Sequence, residues 1–278
     1  MPQKIWFITG VSSGIGWHLA KQAAIAGHCV IGTVRQPEQI ANINQVVPGS
    51  TFGHLLDVNN HEQVQALVAN IVEQYGRIDV VVNNAGFGYF GAVEAMHMTE
   101  CREQMETNFF GALAVTQAVL PYLRAQKSGH LIQVSSIAGL TGTAGLGLYN
   151  ASKHALEGLS EALYYEVAHL GIHVTLVEPG PFRTLWAGAS MKEAAVSIPD
   201  YDASAGMVQQ RLANVNGRQP GDPEKAALAI LHITEVAQPP LRLALGKMAV
   251  EVIKKKIALL NNNLTEWETL SAGADFDE

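Results

Sequence analysis

Cysteines and long apolar runs are both scarce in this 278-residue sequence. The two cysteines, Cys29 and Cys101, lie too far apart for a disulfide framework or a zinc cluster, so no metal site is expected. No apolar run approaches the ~20 residues that span a bilayer, and the N-terminus lacks the apolar stretch of a signal peptide. These features predict a cytoplasmic protein without a membrane partner.

Charged residues are also few, at 15% of the chain, and the formal net charge is −7. A mildly acidic sequence has no basic stripe of the kind that nucleic-acid phosphates attract, so no nucleic-acid partner is expected. Hydrophobic residues, in contrast, make up 48% of the chain, which is enough to bury one substantial core. We therefore expect residues 1–278 to form a single domain.

Apolar, strand-like runs alternate along the chain with segments of helical periodicity. The strand candidates are residues 5–9, 29–34, 52–56, 80–82, 131–134, 174–177 and 241–245. Strands that alternate with helices form βαβ units, and near-continuous apolar strands are covered on both faces. The pattern predicts an α/β, single-domain Rossmann fold: a doubly wound, mostly parallel seven-stranded sheet with helices on both faces.

Two segments depart from this alternation. Residues 181–223 mix Gly, Ser and Asp with scattered apolar residues, and we interpret them as a mobile insertion that contains one short helix. Asp222 and Pro223 resemble a helix N-cap and first turn, so a helix is expected from there to about residue 236. Residues 247–278 are interpreted as a C-terminal helical extension, in which the lysines at 254–256 form a solvated face.

A glycine-rich turn follows the first predicted strand and leads into the first predicted helix. Glycines in such a turn let the backbone approach a pyrophosphate, whose charge is met by free N–H groups and the helix dipole. An ordinary tight turn is the alternative, but it does not require this position directly after the opening strand. The turn supplies the candidate cofactor-binding residues Gly10, Ser12, Ser13, Gly14, Ile15 and Gly16.

The spacing Thr9-Gly10-x-x-x-Gly14-x-Gly16 resembles that of the short-chain dehydrogenase/reductase family, and differs from the commoner Gly-x-Gly-x-x-Gly pattern. Further motifs resemble those of the family in order and spacing from about residue 4 to 184. The segment from Trp6 to Arg35, with Phe87-Gly88, looks closest to hydroxysteroid-dehydrogenase-like members.

The resemblance implies further cofactor contacts beyond the glycine turn. Asp57 and Val58 would contact the adenine ring, and Asn84 would face the cofactor ribose. Pro179 and Gly180 form the cofactor-side loop. The remaining residues assigned in this way are Ala85 and Gly86, which follow Asn84, and Phe182 and Thr184, expected near the nicotinamide amide.

The resemblance also implies a catalytic set of Asn108, Ser136, Tyr149 and Lys153. Tyr149 would exchange a proton with the substrate, Lys153 would lower its pKa and bond the nicotinamide ribose, and Ser136 would orient the substrate oxygen. Asn108 would hold a water near the lysine. Residues four apart on a helix share one face, which allows Tyr149 and Lys153 to act together. Taken singly, each match has a structural alternative: a helix-surface pair, a strand end or a buried polar residue.

The end of the second predicted strand bears on the choice of cofactor. An NAD-binding protein would be expected to carry an acidic residue there, against the ribose 2′-hydroxyl, but Val34 stands at this position. The following Arg35 suits a 2′-phosphate, and a solvated arginine is the alternative. NADP(H) is therefore expected to be preferred over NAD(H).

These features predict an oxidoreductase that transfers hydride between NADP(H) and a small-molecule carbonyl or alcohol, with residues 181–223 as a substrate lid. An NADP(H)-binding redox sensor without turnover is the alternative, although it would not need the catalytic set. A scaffold role through helix pairing is a third. The helices near residues 100–125 and 149–170 resemble those through which family members pair, so a homodimer or homotetramer is expected.

Overall fold

The computed structural model describes residues 2–188 and 190–276. The ends of the predicted domain and of the C-terminal extension, and one residue of the predicted insertion, lie outside these ranges. Nine strands are present in the described chain: β1 Ile5–Ile8, β2 Cys29–Val34, β3 Thr51–Leu55, β4 Val80–Asn83, β5 Gly88–Phe90, β6 Gly129–Val134, β7 Ile172–Pro179, β8 Met191–Glu193 and β9 Arg242–Leu245.

Seven of these strands form one sheet in the order β3-β2-β1-β4-β6-β7-β9. Every neighbouring pair in it is parallel, from β1 with β2 to β7 with β9. The predicted doubly wound, seven-stranded Rossmann fold is therefore confirmed. The remaining strands, β5 and β8, pair with each other in parallel to form a separate two-stranded sheet.

The helices of the described chain are α1 Gly14–Ile25, α2 Gln39–Asn44, α3 His61–Tyr75, α4 Met98–Met105, α5 Ala112–Gln126, α6 Gly147–Val167, α7 Met207–Val215, α8 Pro223–Ile233 and α9 Lys247–Ala272. Local sequence sets their ends. The Asn60 side chain accepts from the Gln63 backbone N–H at 3.0 Å at the start of α3. Gly76 ends the same helix in the left-handed conformation.

Side-chain alternation along the strands builds a core on each face of the sheet. Phe7 and Ile31 belong to the core that includes residues of α3, α5 and α6. Their neighbours Trp6 and Val30 belong to the opposite core, which includes residues of α1 and α8. Successive residues of a strand point to opposite faces, so continuous apolar strands are required when helices cover both sides.

The two unusual segments contain more regular structure than the sequence indicated. Residues 181–223 include β8 as well as the short helix α7, and β8 ties the segment to β5. The helix predicted to reach about residue 236 ends at Ile233, because Thr234 is its C-cap. Within the described residues, no helix is both long and apolar enough to cross a membrane.

Candidate active site

The candidate residues gather at the carboxyl ends of the central strands. Chain order in the sheet reverses between β1, which is followed outward by β2 and β3, and β4, which is followed by β6, β7 and β9. The crevice at such a reversal is where open α/β sheets bind ligands. The loops after β1, β4, β6 and β7 meet there and supply most of the candidate residues.

The glycine-rich turn is held in place by hydrogen bonds to the loop after β4. The Thr9 hydroxyl accepts from the backbone N–H groups of Asn84 and Ala85 at 3.0 and 3.1 Å. Asn84 Nδ2 donates to the carbonyls of Thr9 and Gly10 at 2.9 and 2.7 Å. The Asn84 amide nitrogen therefore holds the turn in place, and the expected contact of Asn84 with the cofactor ribose stays a prediction.

Two glycines of the turn are required sterically. Gly10 has a φ of +70°, and a Cβ there would lie 2.9 Å from Ala85 Cα. A Cβ on Gly16 would lie 2.3 Å from Asn84 Nδ2 and 2.6 Å from the Gly10 carbonyl oxygen. A side chain at either position would displace Asn84 or the turn itself. The backbone atoms of the turn are therefore not covered by side chains at the place where a ligand would approach them.

The turn ends at the N-terminus of α1, where Ser13 is the N-cap and Gly14 the first helical residue. The first N–H groups of a helix lack intrahelical partners and, with the dipole, attract anions. Ser12 is exposed beside them, whereas Ile15 packs against the core. Thr184 approaches from the loop after β7, since a Cβ on Gly14 would lie 3.4 Å from Thr184 Cβ. The structure therefore brings these candidates together.

The ends of β2 and β3 form the outer part of the crevice. Val34 is buried, and the next residue, Arg35, is exposed. Asp57 is also exposed, but the Val58 side chain packs in the core, so any adenine contact of Val58 would use its backbone.

The loop after β7 begins at Pro179, the last residue of the strand. The Gly180 N–H donates to the Leu245 carbonyl at 3.0 Å, which anchors the loop to β9. Phe182 forms a bridge with Gly221, and its ring packs against the core. Its backbone bridge to Gly221 joins the two ends of the 181–223 segment, and the expected position of Phe182 near the nicotinamide amide stays a prediction.

Asn108 lies within a π-helical turn, Glu106–Gly111, between α4 and α5. Its Nδ2 donates to the Phe87 carbonyl at 2.9 Å and to Ser152 Oγ at 3.1 Å. Its Oδ1 accepts from the Phe87 N–H at 3.1 Å. The wider turn of a π-helix projects this buried side chain between the β4 loop and α6, and such turns are frequent at functional sites. Ser152 is a partner that the sequence reasoning missed.

Gly86 lies between the side-chain ends of Asn108 and Lys153, and because it has no side chain the space between Oδ1 and Nζ stays open. A Cβ on Gly86 would lie 3.1 Å from Asn108 Oδ1 and 3.8 Å from Lys153 Nζ. Asn108 and Lys153 thus face the same small region but are not bonded to each other. The expected water between them remains a prediction.

Tyr149 and Lys153 project from one face of α6 towards Ser136, which follows β6. Lys153 Nζ donates to the Val134 carbonyl at 2.8 Å and lies 5.8 Å from the centre of the Tyr149 ring. Ser136 Oγ accepts from the Ala138 N–H at 3.1 Å, which fixes the hydroxyl at the edge of the crevice beside Tyr149. The tyrosine and lysine are both buried, at 7% and 6% exposure.

Burial controls the titration of this pair. It raises the pKa of Tyr149 to about 12, with hydrogen bonding to Ser136 acting in the opposite direction. It lowers the pKa of Lys153 to about 8, and the Glu157 carboxylate acts against that fall. The lysine was expected to depress the pKa of Tyr149, but in this structure desolvation dominates. The tyrosine is therefore a neutral acid near pH 7.

An aromatic wall adjoins the tyrosine, and the sequence reasoning did not identify it. The Trp186 ring lies 4.7 Å from that of Tyr149, centre to centre, at an angle of 50°. Tyr149 also shares an apolar cluster with Phe90 and Leu146. A cavity of about 220 Å³ lies next to this cluster, with Phe90 and Tyr201 in its lining. Trp186 falls in the irregular segment, where no periodicity marked it.

A charge cluster built around the buried Glu157 and Glu178 lies behind Lys153, one helical turn further along α6. Arg242 of β9 bonds Glu157, and also Glu161 at 3.0 Å and Glu178 at 2.9 Å. Burial and the charge of Glu157 raise the pKa of Glu178. Glu157 follows Lys153 by four residues, a spacing that could have revealed the pair, whereas its contact with a distant strand could not be read from the sequence.

Known proteins share both the sequence and the fold. An oxidoreductase from Botryotinia fuckeliana is 43% identical over 269 residues, which cover 96% of this chain and 98% of the relative. A 3-ketodihydrosphingosine reductase from Bacteroides thetaiotaomicron is 36% identical, with 96% and 97% covered. The solved structure of a short-chain dehydrogenase from Streptomyces avermitilis has a TM-score of 0.92 at 40% identity, with 98% of each chain covered.

The sequence model of the short chain dehydrogenase family matches residues 4–194. That range contains the glycine-rich turn, the π-helical Asn108 and the Tyr149-Lys153 pair. The predicted family is therefore confirmed, while the hydroxysteroid-dehydrogenase-like subgroup stays a prediction. The chain belongs to the short-chain dehydrogenase family of oxidoreductases.

Proposed function

We propose that this protein is an NADP(H)-dependent carbonyl reductase, or alcohol dehydrogenase in the reverse direction, that uses Ser136, Tyr149 and Lys153. One observation carries the proposal. A buried tyrosine and lysine on one face of α6 converge with a serine beside the pre-formed glycine turn. Perturbed titratable groups in a ligand crevice are typical of acid–base catalysis.

Tyr149 is the proton donor in the reducing direction. Its pKa of about 12 keeps the phenol protonated near pH 7, as a donor to a developing alkoxide requires. Ser136 orients the substrate oxygen through its hydroxyl, whose position is fixed by the Ala138 N–H. Lys153 stabilises the phenolate that forms when the proton leaves, because a positive charge one helical turn away favours the anion.

The glycine turn and the α1 N-terminus fit a dinucleotide. The bare backbone at Gly10 and Gly16 gives a pyrophosphate a close approach, and the adjoining helix end supplies free N–H groups. Bound NADPH would supply the hydride. The exposed Arg35, which follows the apolar Val34, supports a preference for NADP(H) over NAD(H), since a guanidinium pairs well with a 2′-phosphate.

The substrate is a ketone or aldehyde attached to an apolar group. Trp186, Phe90 and Leu146 pack with Tyr149 in one apolar cluster, which places an apolar wall beside the proton donor. Such a wall excludes water and favours a hydrocarbon substituent. A relative that is 36% identical bears the name of a ketone reductase, 3-ketodihydrosphingosine reductase, which is compatible with this class.

We expect a homodimer or homotetramer in the cytoplasm, the latter because Cys29 and Cys101 are free thiols. Residues 181–223 serve as the substrate lid, an interpretation supported by the contact of Trp186 with Tyr149.

The test is NADPH oxidation with a panel of aliphatic and aromatic ketones and aldehydes. Tyr149→Phe should lower kcat by several orders of magnitude while NADPH fluorescence still reports normal binding. Tyr165→Phe is the matched control, since Tyr165 is on the same helix but 69% exposed, and it should keep full activity.

Near-normal kcat in Tyr149→Phe would contradict the assignment of the acid. Tight NADPH binding without turnover of any panel member by the unmodified protein would instead favour the redox-sensor alternative. Higher activity with charged than with apolar ketones would contradict the substrate class alone.

A further inference from the structure

The C-terminal helix α9 leaves the body of the protein after its first turns. Ala249 near its start is fully buried, and the start of the helix contacts β9. From Ile257 to Ala272, in contrast, every residue is exposed. An isolated helix of this length is only marginally stable in water, so the projecting part needs tertiary or quaternary support.

The projecting helix carries large apolar side chains at a strict heptad spacing. Successive intervals of three and four residues define the seam positions a and d, which begin with Val250 and Ile253 in the first turns of α9 and continue in the projecting part with Ile257, Leu260, Leu264 and Trp267. Leu260, Leu264 and Trp267 are 54%, 65% and 56% exposed. A repeat of 3.5 residues is the pattern of a two-helix coiled-coil seam, not the wider apolar face of a helix packed on a globular core.

The flanking charges indicate which partner fits the seam. Lys254 and Glu268 both occupy the e position of this heptad, with Asn261 at the e position midway between them. In an antiparallel pair of identical helices, e positions face e positions, so Lys254 meets the partner's Glu268 and Asn261 meets its own copy. In a parallel pair, e positions face g positions, and Lys254 and Glu268 do not meet.

We infer that the projecting part of α9 pairs with α9 of a second copy of this chain as an antiparallel coiled coil. The two-fold axis crosses the seam at the level of residue 262 along the helix, which sets Leu260 opposite the partner's Leu264 and Ile257 opposite the partner's Trp267. Opposite charges then meet at both ends of the pair. An anionic membrane surface is the less suitable occupant, because every charged residue beyond Ile257 in the sequence is acidic: Glu266, Glu268, Asp275, Asp277 and Glu278.

Cysteine cross-linking of the full chain tests this pairing directly. Asn261→Cys puts a thiol at the e position beside the axis, and Asn262→Cys puts one on the outer f position. A short bis-maleimide reagent should join Asn261→Cys into a dimer at least about tenfold more efficiently than Asn262→Cys. Both variants retain Cys29 and Cys101, so the comparison removes any contribution of the natural thiols. Equal yields from the two variants would overturn the proposal.

Adjacent leucines provide a matched test of the seam. Leu260 and Leu259 are 54% and 53% exposed, but only Leu260 is on the seam. In the Asn261→Cys background, Leu260→Glu should reduce cross-linking about tenfold or more, and Leu259→Glu should leave it nearly unchanged. NADPH oxidation by both variants reports that the body remains folded, so loss of cross-linking is separable from loss of the active site.

Charge reversal distinguishes the antiparallel from the parallel arrangement. Lys254→Glu or Glu268→Lys alone should weaken cross-linking, because each places like charges together, and the double variant should restore it. Failure of the double variant to recover would contradict the antiparallel register. Binding of the chain to anionic vesicles that Leu260→Glu abolishes, without Asn261→Cys cross-linking, would refute self-pairing and identify a membrane surface as the partner.

Discussion

Replacement of Glu157 by glutamine should shift the pH dependence of reduction without touching the crevice. Glu157 is buried behind Lys153, and its carboxylate raises the lysine pKa against the larger lowering effect of burial. Lys153 is charged below its pKa of about 8 and loses its charge as the pH rises through that value. Removal of the Glu157 charge lowers the lysine pKa further, so the alkaline limb of activity moves to lower pH.

The size of the shift follows from the helix geometry. Residues four apart have Cβ atoms about 5–6 Å apart, and two unit charges at that distance interact by about 3 kcal/mol at an effective dielectric constant of ~20. Arg242 bonds the same carboxylate and cancels part of this interaction. We therefore expect the midpoint of the alkaline limb to fall by about one pH unit, equivalent to about 1.4 kcal/mol.

The assay is kcat for ketone reduction at saturating NADPH between pH 6 and about 9.5. Glu161→Gln is the matched control, since Glu161 bonds the same arginine but its side chain is 46% exposed. It should leave the limb in place. A limb that does not move in Glu157→Gln, or that moves equally in Glu161→Gln, would refute the electrostatic link. Thermal melting should show Glu157→Gln to be less stable, since Arg242 loses a buried partner.

Three further expectations concern the cofactor side and the lid. Arg35→Ala should weaken NADPH binding about 10- to 100-fold, as for a charge-assisted contact, and leave NADH binding nearly unchanged; equal affinities of the unmodified protein for both cofactors would contradict the preference. Gly16→Ala should weaken both cofactors and lower Tm, because its Cβ would lie 2.3 Å from Asn84 Nδ2; titration with each cofactor and a melting curve check this. Hydrogen exchange in residues 181–223 should slow when NADP(H) and a substrate analogue bind, and exchange already as slow as in the sheet core without ligand would contradict the lid.

Local patterns were sufficient to predict the sheet and the position of its ligand edge. Apolar strands such as β2 and β6 are recognisable because both faces are covered, and the glycine spacing marks the turn after β1. The limits appear where a residue works through a distant partner. The Asn84 amide nitrogen bonds Thr9 and Gly10, a contact between the ends of the neighbouring strands β4 and β1 that has no signature in the linear sequence.

Titration behaviour was the least predictable property of the site. The four-residue spacing of Tyr149 and Lys153 indicated a shared helix face and a lysine charge that favours the phenolate, but it could not indicate that burial raises the tyrosine pKa. Desolvation depends on which side chains bury Tyr149 and Lys153. One of them, Trp186, packs on Tyr149 from an irregular segment that has no periodicity to predict it. A pKa sums the effect of all surrounding groups, so it cannot be inferred from the spacing of two residues.

The sequence by itself determined the fold family, the glycine turn and the residue types available for acid–base chemistry, because these depend on short-range spacing and strand periodicity. Tertiary structure alone decided which side chains brace the turn, which aromatic rings close over Tyr149, and how Arg242 gathers three carboxylates behind Lys153. It also left the heptad face of α9 bare, although the same spacing in a packed helix would have been buried. Exposure and charge balance arise from contacts between distant segments, which are formed only when the chain folds.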